Sequence, residues 1–275
     1  MKWRALGLAL LALAPALVGL APTDTAQAQL GPGPELGERA FVLGMEGHRF
    51  NGQTWPDTPL LEAYAGETMR FAVHVPAFAE MHTFHLHGHP WEDPGTGDFI
   101  DAVRLDAGQT HRFTQTAGLG EGHAGDWFYH CHVETHFQGS MWGLLRVYPY
   151  AVQVDGDLEE LTVRLTDGER GLEEATFSAH LRQGPDQVTP ATVGEGQPVD
   201  LHVEDLGEGR YRVTPDLAAA ATGELVLTSH HDEGESVARL DLTATGSELD
   251  HDVMPRSPAF PSTEPSPTVD VGPET

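Results

Sequence analysis

Apolar and polar residues alternate along this chain in short runs of about five positions, the period of half-buried β-strands. Between Arg39 and Tyr148, Ala40–Leu43, Met69–Val73, Thr83–His87, Trp127–His130 and Leu144–Val147 read as strands. Asn51-Gly52, Pro56-Asp57, Ala65-Gly66, Pro94-Gly95 and Ala107-Gly108 fall between them, where turns demand such residues. The pattern predicts a barrel or sandwich with its own core over residues 39–150. From 151 to 250, period-two runs return as Leu161–Leu165, Leu201–Val203, Tyr211–Val213, Glu224–Leu227 and Ala238–Leu242. They predict a second β-sandwich, immunoglobulin-like in its strand spacing. His230-His231-Asp232 is expected in an exposed loop, and no internal repeat of convincing length is present. Residues 29–38 read as a flexible leader, and 251–275, rich in Pro, Ser, Thr and Glu, as a disordered tail.

Composition narrows the class. With 31 Gly and 20 Pro, the chain suits many short strands and nearly excludes long helices. A net charge of −27 argues against nucleic acid and anionic membrane surfaces as partners. Lys2 and Arg4, the apolar run Ala5–Leu20 and Ala26-Gln27-Ala28 form the three parts of an export signal over residues 1–28. The run is short for a membrane span and Pro15 interrupts it, so cleavage near Gln29 and a periplasmic or secreted protein are expected, without membrane insertion.

Chemistry concentrates around one cysteine. Cys131 has no partner for a disulfide within the chain. Of 16 histidines, seven lie in residues 82–89 and 130–136. In Met81-His82-Thr83-Phe84-His85-Leu86-His87-Gly88-His89, strand geometry points His85 and His87 to one face. In His130-Cys131-His132-x3-His136-x4-Met141 it points His130 and His132 one way and Cys131 the other. Cys131 can then join His136, Met141 and one more imidazole, and two His, one Cys and a weak axial Met form the ligand set of blue copper. The bland alternative is a core cysteine beside incidental histidines.

These two stretches resemble the last two of the four copper motifs of multicopper oxidases, the laccases and ceruloplasmin-like ferroxidases. The similarity runs from about Arg39 to Val147 and implies a cupredoxin fold, an eight-stranded Greek-key β-barrel. It implies type 1 copper ligands at His82, Cys131, His136 and Met141. It also implies a type 2 ligand at His85 and type 3 ligands at His87, His130 and His132. Electrons from a reducing substrate would enter at the type 1 site and pass through Cys131, His130 and His132 to dioxygen at a three-copper cluster. His89, Gly88 and Trp91 are expected to support or pack. Ser140 stands where the family usually has Gly. The family's cluster takes eight histidines, and only four are matched; His48 and His74 stand alone, and no further HxH pair precedes His82. With no room expected for another cupredoxin domain, a symmetric homo-oligomer supplying two sets of four is expected, or a partner protein. The alternatives are a one-copper electron-transfer cupredoxin and a non-catalytic copper-binding protein. Copper nitrite reductases resemble a Cys-x8-His spacing, whereas Cys131 and His136 stand as Cys-x4-His. Glu80 and Glu134 border type 1 ligands and could attract a cation, or merely be solvated rim charges. Trp127, Phe128 and Trp142 are expected to pack the barrel.

Overall fold

The computed structural model describes residues 36–118, 124–183, 187–218 and 221–242, so the export signal and the tail lie outside the described residues. The first lobe comprises β1 (Glu38–Glu46), β2 (Arg49–Phe50), β3 (Leu60–Tyr64), β4 (Thr68–His74), β5 (His82–Leu86), β6 (Trp91–Glu92), β7 (Phe99–Ile100), β8 (Ala102–Leu105), β9 (Thr110–Thr116), β10 (Gly125–Cys131), α1 (Glu134–Gln138) and β11 (Trp142–Tyr148). One sheet has the order β2-β1-β4-β9 and the other β3-β11-β10-β5-β8; β6 and β7 form a separate hairpin. β1 runs parallel to β4 and β3 parallel to β11, while the other pairs are antiparallel. This is the all-β, cupredoxin-type Greek-key barrel the resemblance implies, with the two-residue β2 added to its eight strands.

The alternation predicted from sequence sets the barrel's interior. Phe41, Leu43 and Met45 of β1 and Met69, Phe71 and Val73 of β4 meet Phe84, Leu86, Tyr129 and Leu145 from the opposite sheet in one buried cluster. Each large side chain removed from water there contributes roughly 1.5–3 kcal/mol. Cys131 and Met141 belong to that cluster, so the thiol strand has its sulfur on the core side.

The second lobe stacks β12 (Ala151–Asp157), β13 (Glu160–Thr166), β17 (Arg210–Pro215) and β16 (Leu201–Gly207) against β15 (Gln197–Val199), β14 (Thr176–Arg182), β18 (Gly223–His231) and β19 (Gly234–Leu242). His230 and His231 are not in a loop. They end β18 in register with Glu235 and Gly234, and His230 Nδ1 lies 3.0 Å from Glu235 Oε1. The regular pairing of β18 with β19 carries the strand through to its last residue, so the two imidazoles point to opposite faces and gather no metal-site group among the described residues.

A buried ion network joins the lobes. Arg239 of β19 donates Nε to Glu62 Oε2 of β3 at 2.8 Å and Nη2 to Glu62 Oε1 at 3.0 Å. Tyr148 donates its hydroxyl to the same carboxylate, and Arg239 Nη1 reaches Glu224 at 3.2 Å. Burial works against the Arg239 charge, but Glu62 more than offsets it and holds the guanidinium above its ordinary range. Leu36, just before β1, packs against the second lobe's core.

Candidate metal centre

β5 and β10 lie side by side in antiparallel register, Cys131 opposite Phe84, His130 opposite His85 and Tyr129 opposite Leu86. The pairing stacks like with like. His82, Phe84 and Leu86 of β5 and Tyr129 and Cys131 of β10 face the core, while His85 and His130 share the outer face.

On the inner side, Cys131 Sγ lies 3.6 Å from His82 Nδ1 and 3.5 Å from His136 Nδ1, and the two Nδ1 atoms are 3.1 Å apart. The circle through these three atoms has a radius of about 2.0 Å, close to metal–imidazole and metal–thiolate bond lengths of roughly 2.0–2.3 Å. Three donors gathered at this spacing form a trigonal socket that fits one ion. His82 Nε2 is buried with no partner, as befits a ring held by its other nitrogen. Burial, then the neighbouring His136, pushes the His82 imidazole down to about 4, which keeps it neutral and ready to ligate. Burial pushes the Cys131 thiol up, so ligation must displace its proton.

Local sequence builds the socket's rim. α1 is a single turn that places His136, and Met141 N donates to His136 O at 3.1 Å while Cys131 N donates to Met141 O at 3.1 Å. That lacing brings Met141, fully buried, beside both ligands. The chain reverses between helix and β11 at Ser140, whose φ of 67° is in the left-handed region that glycine adopts without cost.

On the outer side, His87 Nε2 and His130 Nε2 are 3.1 Å apart, the separation expected of two nitrogens bound at right angles to one ion, about 3.0 Å. The donor atoms of His85, His87 and His130 all lie within 4.8 Å of one another. His130 Nδ1 is spent on Cys131 O at 3.1 Å, which leaves Nε2 facing out. His132, just past the end of β10, is exposed, its ring 5.4 Å from His85 and 5.6 Å from His130. All four predicted histidines therefore share one open patch. His85 Nε2 also lies 3.4 Å from Asp101 Oδ2, a neighbour no sequence pattern marked.

The supporting residues behave as the motif suggested. His89 uses both nitrogens, on His87 O at 3.0 Å and on Gly118 N–H at 3.3 Å, so it braces the loop. Gly88 is needed because a Cβ there would stand 2.4 Å from Trp127. Trp91 is fully buried and donates Nε1 to His111 Nε2 at 3.1 Å. Trp127 packs partly into the core. Phe128 does not pack the barrel: it is 43% exposed on the histidine face, because β10 alternates and it shares parity with His130. Trp142, opposite His130, stacks on Trp55 at 3.9 Å rather than entering the core.

Residues 37–151 match the family model described as multicopper oxidase. Over this segment the chain is similar to the multicopper oxidases. The match implies copper as the cofactor, in keeping with the His, Cys and Met donors gathered here. A probable nitrite reductase-hydroxylamine oxidoreductase fusion protein of Kuenenia stuttgartiensis is 34% identical over 98 residues, 36% of this chain and 11% of that protein. Among solved structures, a laccase from Pediococcus acidilactici shares 18% identity over 40% of this chain and 27% of its own, with a TM-score of 0.36. The McoA multicopper oxidase of Aquifex aeolicus shares 19% over 42% and 30%, with a TM-score of 0.35. The chain thus spans about a tenth of the curated relative and under a third of these two multicopper oxidases. The second lobe lies almost wholly beyond the family match.

Proposed function

We propose that this multicopper oxidase segment passes electrons from a reducing substrate to dioxygen, with a type 1 copper held by His82, Cys131, His136 and Met141. The observation that carries the reading is Cys131 itself: its sulfur completes the inner triangle, and its two neighbours in sequence, His130 and His132, belong to the outer patch. When bound, copper supplies one-electron redox chemistry inside and dioxygen reduction outside. The protein's part is to hold the inner donors dry and trigonal, to give up the Cys131 proton on ligation, and to link the two groups by a single covalent step along β10.

The outer patch supplies four of the eight histidines a family cluster takes, and a second copy of this chain supplies the others across a twofold axis. Support comes from the exposed rings beside it: Phe128 packs edge-on to His87 at 6.0 Å and Phe137 to His130 at 5.1 Å, each 43% exposed. Exposed aromatic rings are enriched where protein surfaces meet, which suits burial of this face between protomers. The protein works outside the cytoplasm, as the export signal implies.

Aerobic visible and spin-resonance spectra of copper-loaded protein, with copper per chain and mass in solution, test this. Blue thiolate absorbance, a dimer and more than one copper per chain are expected. A monomer with one copper and no oxygen consumption would be an electron carrier instead. Nitrite, raised by the relative's name, serves as a second acceptor; nitrite reduction without oxygen use would overturn the oxidase reading.

A further inference from the structure

The inner group is sealed on its solvent side by a residue outside both histidine motifs. His136 is 7% exposed, and the ring against it is His48, tilted by 37° with the ring centroids 4.9 Å apart. The fit is built into the backbone. A Cβ at Gly139, the residue that ends α1, would stand 2.2 Å from His48 Nδ1, so only glycine leaves the notch into which His48 drops.

His48 is also held from behind. It forms the two-residue turn of the β1–β2 hairpin with Gly47, whose φ is +56°. Two residues on, Phe50 is fully buried and meets Tyr129 edge-on at 5.0 Å. Asn51 then closes the hairpin base, accepting from Gly44 N at 2.7 Å and donating to Val42 O at 3.1 Å. A turn this short, clamped on its return side, leaves the imidazole little room to swing away. From another direction, Glu80 Oε1 stands 3.7 Å from His136 Nε2 with its side chain half-exposed.

We propose that His48 roofs the type 1 site and is the group on which the outer electron donor docks, in place of the edge of His136. The inference rests on the type 1 reading of His82, Cys131 and His136. One electron would leave the donor, oxidising it by one unit, and cross the His48–His136 ring contact to reduce the inner centre by one unit; no bond to the protein forms, and a phenolic donor such as hydroquinone sheds its hydroxyl proton to water as it becomes the semiquinone. A flat face beside a carboxylate, on a chain of net charge −27, favours neutral aromatic or cationic donors over anionic ones.

Two measurements test it on the full chain, with His48→Ala and His48→Phe. In metal-free protein, labelling of the single thiol by the neutral reagent 4,4′-dithiodipyridine reports access to Cys131. His48→Ala should label at least tenfold faster than wild type and His48→Phe at the wild-type rate, with thermal melts confirming that all three fold. In copper-loaded protein under anaerobic conditions, hydroquinone should bleach the blue band at least fivefold more slowly in His48→Ala, with recovery in His48→Phe. Equal labelling in wild type and His48→Ala overturns the roof. Equal or faster bleaching in His48→Ala, with the blue band intact, overturns the docking. A loaded wild type with no blue band overturns the type 1 reading, and the docking with it.

Discussion

The two faces of β5 and β10 carry the same kind of ligand and opposite kinds of site. Inside, three donors lie 3.1–3.6 Å apart and all three residues are buried. Outside, four imidazoles lie within a ring or two of one another, but His87 and His132 stand in solvent. One sheet face points into the core, where the barrel's own packing supplies the missing walls. The other has no wall among the described residues. A complete site and an incomplete one can thus be one residue apart in sequence, because strand parity alone decides which side closes.

That contrast makes Cys131→Ser the most drastic change. It should abolish the blue absorbance entirely while the outer histidines retain copper, read as a residual spin-resonance signal and metal content. If the outer copper leaves as well, the two groups are not separable and the contrast fails. Arg239→Leu acts on both groups at once. It strands Glu62 in the lobe junction without its partner, and should cost about 3–5 kcal/mol in chemical denaturation. Both copper signals should be lost in parallel, since β3 pairs with β11, which follows Met141 directly. Phe128→Asp touches only the open face. It should weaken self-association at least thirtyfold by sedimentation, about 2 kcal/mol, and leave the blue band unchanged. An unaltered dimer would show that the histidine patch is not the interface. Ser140→Gly is the mildest: it relieves a left-handed residue at the rim of the inner group. Part of that relief is offset by the extra freedom of glycine in the unfolded chain, so a gain of about 0.5–1 kcal/mol is expected. The thermal midpoint should rise by a few degrees with the blue spectrum intact.

Much of the site was legible because strand period two is rigid. Once Cys131 is put on a strand, His130 and His132 must look the other way, and His85 and His87 must look together. Hydrophobicity alone points Phe128 to the core, whereas that same parity, shared with His130, puts it outside. Ser140 was noticed only as a departure from the family's glycine; its positive φ supplies the reason that glycine is usual there. The lobe junction was invisible, because Glu62 and Arg239 are 177 positions apart and each looks like an ordinary strand charge. His48 gave no signal either, being a lone histidine in a hairpin turn.

From the chain of letters alone come the strand class, the two motifs of candidate ligands and the side of the sheet on which the alternating residues of each motif fall, since all three depend on local spacing and backbone geometry. Tertiary structure decided which groups meet: the register that puts His82 against Cys131, the notch at Gly139 that admits His48, and the buried junction that ties the two lobes. Those contacts join residues far apart along the chain, where only the packing of the whole fold brings their atoms within bonding distance.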